Sequence, residues 1–238
     1  MAYPSAPNSA FDAVLFDMDG TVLTSIAAAE RVWTQWAHRH GLDVDAFLPT
    51  IHGKRAIDTI RDSGVRGIDP EAEAAAILET EIDDVADIEP IAGAAGFLAG
   101  LPHGRWTIVT SAPRRLAERR IEAAGLPLPD KLVAGDDVTR GKPAPDAFKL
   151  GAERLGVAAS RCLIFEDAIA GIQAAEAVGA SVVVISALHS AAADTAHPSI
   201  PNYHGVTCET LGDGQLRVHL PENSGDSASK AATGTGTR

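Results

Sequence analysis

The chain has 238 residues, 45% of them hydrophobic, and 20 Lys and Arg stand against 32 Asp and Glu for a formal net charge of −12. That length buries a substantial core, as one larger domain or as a core plus a smaller module. The acidic balance, with no basic stripe along any predicted helix, argues against nucleic acid as a partner because the phosphate backbone would be repelled.

Read from the start, "MAYPSAPNSA" (1–10) has neither a basic region nor an apolar core of signal length, and no apolar run approaches about 18 residues. A flexible N-terminus on a soluble, cytoplasmic chain with no membrane partner is the expectation. Cys162 and Cys208 lie in apolar surroundings far apart, too few for a disulfide framework or a thiolate cluster, which fits a reducing compartment. The first strand is "AVLF" (13–16), and the next convincing one, "WTIVT" (106–110), comes only after an interval of roughly 85 residues from Thr21, where a crossover helix with its loops needs perhaps 20 to 30. The interval reads as helical. Ile26, Ala29, Val32, Trp33, Trp36 and Ala37 recur at three- and four-residue steps, and "PEAEAAAILETEIDDVA" (70–86) is rich in helix formers behind a Pro start. Trp33 and Trp36 fit the core of this insert better than a sugar-stacking platform.

Beyond the insert, "KLVAG" (131–135), "RCLIF" (161–165) and "SVVVI" (181–185) are continuous β-branched runs of the kind buried on both faces of a parallel sheet. The helices between them run from Pro113 to Gly125, Pro145 to Gly156 and Ala168 to Gly179, starting or stopping at Pro and Gly. The order β-α-β-α implies an α/β fold, a doubly wound, Rossmann-like, mostly parallel sheet formed by 11–25 and 90–220, with a small α-helical cap over 26–89. The segment 221–238 is small, polar and rich in Gly, Ser and Thr, and predicts a disordered tail.

The stretch "FDAVLFDMDGTVL" (11–23) ends its strand on Asp17 and Asp19. In extended chain these two residues share a face, at the strand end where open α/β sheets place ligands. One alternative makes them a helix cap and a turn residue. A divalent cation would turn their repulsion into a site, and Mg²⁺ prefers such hard oxygen ligands.

"DMDGT" after an apolar strand resembles the first motif of the haloacid dehalogenase-like hydrolase superfamily. Three further motifs follow in that family's order, "VTSA" (109–112), "RGKPAPD" (140–146) and "FEDAIAGIQAA" (165–175), so the resemblance spans nearly all of 11–185. "VWTQWAHRHGL", "IHGKRAIDTIR" and "GKPAPDAFKLGAERLG" are most similar to the small-molecule sugar phosphatase branch, with its glycerol-phosphate and deoxyglucose-phosphate phosphatases. The resemblance implies a Rossmann-like core, an inserted helical cap, Mg²⁺ as cofactor and a small phosphorylated metabolite as partner, in a monomer with a dimer left open.

Asp17 would then be the nucleophile that forms an aspartyl-phosphate, and Asp19 the general acid and later the base. The transition state spreads charge over the equatorial phosphoryl oxygens, so the remaining groups would be electrostatic clamps. Ser111 would give a hydroxyl and a backbone N–H to the phosphoryl group, with a helix cap as its alternative role and Thr110 as a neighbouring candidate. Lys142 would link Asp17 to the phosphoryl group rather than sit solvated in a turn. Glu166 and Asp167 would hold the metal with Asp17 and the backbone carbonyl of Asp19, Glu166 directly or through water; capping the next helix is the other reading. Gly20 would bring backbone N–H groups toward the phosphoryl group, and Thr21 would steady the nucleophile. Substrate choice falls to the cap, where His52, Gly53, Lys54 and Arg55 form a small cationic patch or a solvated helix start. Asp136 and Asp137 read as capping or solvating a loop.

The function so read is Mg²⁺-dependent hydrolysis of sugar, deoxysugar, polyol or glycerol phosphates. Asp19 argues against dehalogenation, which uses a single catalytic Asp. A β-phosphoglucomutase-type mutase is the alternative, weakened because the His such relatives carry about ten residues after the second Asp for proton control is Ala29 here. A phosphonatase would depend on Lys54 alone. A receiver-like phospho-Asp switch is disfavoured by the DxD pair and the large insert, and an inactive binding protein by the retained motif residues.

Overall fold

The computed structural model describes residues 9–187 and 195–221. Apart from residues 9, 10 and 221, the expectations for the two chain ends fall outside the described residues; Ala10 is already paired in a strand. The chain opens with β1 (Ala10–Phe11) and β2 (Ala13–Phe16) and leaves the sheet through β3 (Leu23–Thr24). It runs through α1 (Ile26–Arg39), α2 (Val44–Phe47), α3 (Ala56–Asp62) and α4 (Pro70–Asp83), and returns through β4 (Glu89–Pro90). Then come α5 (Ala94–Gly100), β5 (Trp106–Ile108), α6 (Arg114–Ala123), α7 (Asp146–Leu155), β6 (Cys162–Glu166), α8 (Ile169–Ala177), β7 (Ser181–Ile185), β8 (Ser199–Ile200), β9 (Thr207–Thr210) and β10 (Leu216–His219).

Five strands form one parallel sheet in the order β5, β2, β6, β7, β8. This is the doubly wound α/β sheet expected from the continuous apolar runs, because both of its faces are covered. Val14, Phe16, Leu163, Phe165 and Val183 pack on one side with Phe97, Leu98, Leu116 and Ile121. Ala13, Leu15, Ile164, Val182 and Val184 pack on the other with Phe148 and Ile172. From β2 the chain goes first to its neighbour on one side, β5, and then to its neighbour on the other, β6. That reversal opens a crevice at the carboxyl end of β2, where Asp17 follows Phe16.

Two sequence expectations change. "KLVAG" forms a single parallel bridge, Val109 to Val133, instead of a strand, because the chain turns at Pro129 before it and enters a 3-10 turn over Gly135–Asp137 after it. The second change lies near the end of the chain, where β10 pairs with β1 and β9 in a small antiparallel sheet. Its Leu216 and Val218 are buried while Arg217 and His219 are not, the alternation of a one-sided strand.

The helices between β3 and β4 have their own core of Val32, Trp33, Trp36, Phe47, Ile51, Ile60 and Ile77. β3 and β4 pair antiparallel, Leu23 with Pro90 and Thr24 with Glu89, so the exit and return of the chain lie side by side. Trp36 is fully buried, 5.6 Å from the Trp33 ring and 5.4 Å from Phe47, and its Nε1–H donates to Glu73 at 2.8 Å. α4 starts where the Asp69 carboxylate accepts from the N–H groups of Glu71 and Ala72, with Pro70 preset for the first turn. Because Trp36 fills the centre of this cluster, Trp36→Ala is expected to cost about 3–5 kcal/mol in urea unfolding. A cost below about 1 kcal/mol would contradict that packing.

Candidate active site

Asp17 leaves β2 with its N–H bonded to Phe165 O, which ties the carboxyl ends of β2 and β6 together. Its side chain meets the ammonium of Lys142, which donates to Asp17 Oδ1 at 2.5 Å, Glu166 Oε1 at 2.8 Å and Val109 O at 3.1 Å. These three acceptors use all three ammonium protons. Lys142 is only 1% exposed at its side chain and lies 4.8 Å over the Phe148 ring. Burial alone would lower its pKa, but Asp17 and Glu166 override burial and hold it above the ordinary range, so it remains a cation. The other Glu166 oxygen, Oε2, accepts the N–H groups of Asp167 and Ala168 at the start of α8. Glu166 therefore caps α8, one of the two roles weighed from sequence, and also stands in the carboxylate cluster around Lys142.

Asp167 is buried beside them, with Oδ1 accepting the Thr21 hydroxyl at 3.0 Å. Thr21 thus steadies Asp167 and not the nucleophile, a correction to the sequence reading. Gly20 also differs from expectation: its N–H donates to Leu23 O and not toward a phosphoryl site. Its need is steric, because at φ 86° a Cβ there would overlap Asp167 Oδ2.

Asp19 points elsewhere. Its Oδ1 accepts Ser25 Oγ at 2.5 Å and Arg120 Nη1 at 2.9 Å, and Arg120 Nη2 donates to Glu81 Oε1 at 3.2 Å. The two carboxylates that share a motif thus occupy separate environments, Asp17 with Lys142 and Asp19 with Arg120. Both line a cavity of about 80 Å³ between the helical insert and the sheet. Thr110, Ser111, His52, Gly53, Lys54 and Asp167 line it too. The Ser111 hydroxyl donates to Gly53 O at 2.8 Å, whereas the first N–H of α6, on Arg114, is met by Asp136, so Ser111 does not cap that helix. Thr110 is buried and its Oγ1 accepts the Ala112 N–H. Lys54 pairs with Asp62 at 3.1 Å and His52 with Glu30 at 3.5 Å. Arg55 is not among the cavity residues: it is committed to Asp58 and to Val138 O at 2.8 Å, a contact from the insert to the sheet domain.

Asp17, Glu166 and Asp167 offer oxygens that lie within 4.8 Å of one another, and all three residues are buried. Three carboxylates around one ammonium leave a negative excess among buried groups. Burial, together with Glu166 and Asp19 and against the pull of Lys142, pushes the Asp17 pKa up to about 7. Burial, Glu166 and Asp17 likewise hold Asp167 well above the carboxylate range. Hard oxygens with unbalanced charge are the donor set a divalent cation fits. Asp17 and Asp167 are the candidate direct ligands of the cluster. Both oxygens of Glu166 already have partners, which favours contact through water, and the carboxylate of Asp19 lies outside the cluster.

Arg120, Glu81, Ser25 and Gly171 were missed in the sequence. Arg120 shares the apolar stripe of α6 with Leu116, Ala117 and Ile121, and Glu81 the stripe of α4 with Ile77, so charges in apolar register were the available signal. Gly171 is required because a Cβ there would overlap Glu166 Oε1.

A family model described as haloacid dehalogenase-like hydrolase matches residues 11–179. Hexitol phosphatase A of Escherichia coli (strain K12) is 41% identical over 180 residues, which cover 73% of this chain and 82% of that protein. Fructose-1-phosphate phosphatase YqaB of the same organism is 33% identical over 184 residues, 74% of this chain and 96% of its own length. A solved HAD hydrolase of family IA, variant 3, from Entamoeba histolytica shares the fold, with a TM-score of 0.69 at 24% identity over 82% of this chain and 95% of that one. The chain belongs to the haloacid dehalogenase-like hydrolase family.

If the cluster holds a divalent cation, thermal unfolding measured first in EDTA and then with MgCl₂ will show a higher Tm with the cation. At about 100 times Kd the gain is about 2.7 kcal/mol. Asp167→Asn should lose most of that gain, and an equal gain in this variant would count against the cluster as the binding site.

Proposed function

We propose that this haloacid dehalogenase-like hydrolase is a Mg²⁺-dependent phosphatase of small sugar, deoxysugar, polyol or glycerol phosphates. The observation that carries the reading is the division of labour between Asp17 and Asp19, two residues apart yet held by different cations on one small cavity. Asp17, at the switch point of the sheet, attacks phosphorus: its oxygen forms the new P–O bond as the bond to the sugar oxygen breaks. Asp19 gives its proton to that departing oxygen, then takes one from the water that opens the phosphoaspartate. Atoms balance over the two steps, with the alcohol and inorganic phosphate as products.

Lys142 neutralises the attacking carboxylate and the transferring group, and Ser111 donates its hydroxyl to a phosphoryl oxygen. Asp17 and Asp167, with Glu166 through water and the Asp19 carbonyl, would hold Mg²⁺, which when bound supplies charge neutralisation at the phosphoryl oxygens. Gly20 and Thr21 support the site through Asp167. Ala29 lines the cavity where a mutase-type His would stand, and it carries no proton, which supports hydrolysis over transfer.

The substrate class rests on size and on the relatives. A chamber of about 80 Å³ admits a phosphoryl group and a few attached atoms, by the measure in which one water needs about 10–15 Å³. A neighbouring groove of about 690 Å³ shares His52, Lys54 and Asp167 with it and has room for the remainder of a hexose-sized molecule. The relatives named above are phosphatases of hexitol and fructose phosphates. His52, Gly53 and Lys54 line the chamber, which supports them as the cap residues that choose among substrates, whereas Arg55 makes the cap–core contact to Val138.

Phosphate release from a panel of sugar, polyol and glycerol monophosphates with Mg²⁺ tests the reading. Turnover of at least one member is expected, with a loss of about 10³-fold or more in Asp17→Asn. No turnover of any panel member or of p-nitrophenyl phosphate, or a wild-type rate in Asp17→Asn, would overturn it. Lys54→Ala is expected to raise KM about tenfold, a contact of about 1.4 kcal/mol, while kcat stays within about threefold. An unchanged substrate profile would remove Lys54 from recognition.

A further inference from the structure

Arg120 is 5% exposed at its side chain and sits on the apolar face of α6, packed with Leu116, Ala117 and Ile121. A Leu or Met of similar length would fill this position without the desolvation cost of a buried charge, so packing does not explain the guanidinium. Its partners do. One Nη reaches Asp19 Oδ1 at 2.9 Å and the other reaches Glu81 Oε1 at 3.2 Å. Glu81 belongs to α4 of the cap, Arg120 to α6 of the core and Asp19 to the loop after β2, so one planar fork joins both bodies to the second aspartate.

The pattern of acceptors at Asp19 gives the fork a task. Oδ1 takes both Ser25 and Arg120, and Ser25 stands at the N-cap position of α1 without capping it, its hydroxyl turned to Asp19 instead. Among the described residues Oδ2 has no hydrogen-bond donor, and Asp19 lines the cavity. Two donors on one oxygen fix the plane of the carboxylate and leave the other oxygen as the one that can carry a proton to the substrate. Arg120 gives one Nη to each of two carboxylates, and its rigid planar fork fixes their relative placement, which the point charge of a Lys on a flexible stem cannot reproduce.

We propose that Arg120 is a positioning residue: with Ser25 it aims Asp19 Oδ2 at the departing oxygen, and through Glu81 it makes that aim depend on a seated cap. This rests on Asp19 acting as the proton donor. The step it assists is breakage of the P–O bond to the alcohol, in which the proton of Asp19 passes to the leaving oxygen while Asp17 takes the phosphoryl group. An alkoxide leaving group needs that proton; p-nitrophenolate does not.

The test compares phosphorylation of the enzyme by two substrates in the Mg²⁺-loaded protein. Single-turnover cleavage of 2-deoxyglucose 6-phosphate is set beside the burst of p-nitrophenol from p-nitrophenyl phosphate. Arg120→Met should slow the sugar phosphate by about 30- to 100-fold, within the range of general acid catalysis, and the burst by less than about threefold. Arg120→Lys should recover little of the loss. Glu81→Gln, which keeps the size of the side chain, should slow the sugar phosphate about 3- to 10-fold, again sparing the burst, and keeps the test open if Arg120→Met does not fold. Equal loss on both substrates, or no loss on the sugar phosphate, overturns the positioning role. The sugar phosphate is replaced by the best-turned-over panel member if 2-deoxyglucose 6-phosphate is not a substrate; a wild-type protein that turns over no panel member and no p-nitrophenyl phosphate overturns the phosphatase reading along with the role of Arg120, whereas an active wild type with parallel losses removes only that role.

Discussion

Everything at the site is arranged around the buried ammonium of Lys142. It reaches Val109 beyond β5, Asp17 beyond β2 and Glu166 at the end of β6, so it gathers the carboxyl ends of three adjacent strands onto one charge. Such a cation is costly to bury, and it is tolerable only because every proton it carries has an acceptor. Its partners outnumber it. With Asp167 beside them, the carboxylates exceed the cation among buried residues, and the excess marks the place for further positive charge.

The second constraint is the separation of Asp17 from Asp19. A strand end puts both on one face, and in the proposed mechanism the two carboxylates have different tasks and so need different surroundings. The chain separates them with two cations from different elements, Lys142 ahead of α7 and Arg120 within α6. The glycines serve the same end. A side chain at Gly20 would strike Asp167, and one at Gly171 would strike Glu166, so the chain approaches its own carboxylates as closely as backbone alone allows.

What was legible in the sequence follows from the range of each interaction. The sheet strands announced themselves as apolar runs, and Asp17, Asp19, Glu166 and Asp167 announced themselves because paired acids just past such runs lack any packing reason. Lys142 was legible through its motif alone. Thr21 and Arg55 were found as residues but given the wrong contacts, since the direction of a side chain depends on the fold and not on its sequence neighbours: Thr21 faces Asp167, and Arg55 faces Val138. Arg120 and Glu81 lie 39 residues apart on helices of two different bodies. Each alone resembles an ordinary charge on a charged helix, and only the apolar register of its stripe sets it apart. The short C-terminal strands were passed over because four residues of alternation are weak beside the longer continuous runs.

The cap loop that separates the inner chamber from the outer groove has its own logic. Gly53 adopts φ 73°, and a Cβ there would stand 2.7 Å from Ala168, so the loop lies directly on the start of α8. On its other side its carbonyl takes the proton of Ser111. A hydroxyl has one proton to give. A phosphoryl oxygen brought to Ser111 competes with Gly53 for that proton, so holding the loop and holding the substrate are mutually exclusive at this atom. In the proposed mechanism Ser111 would exchange Gly53 for the phosphoryl oxygen, so the contact that now ties the cap loop to the end of β5 is the one the substrate would replace.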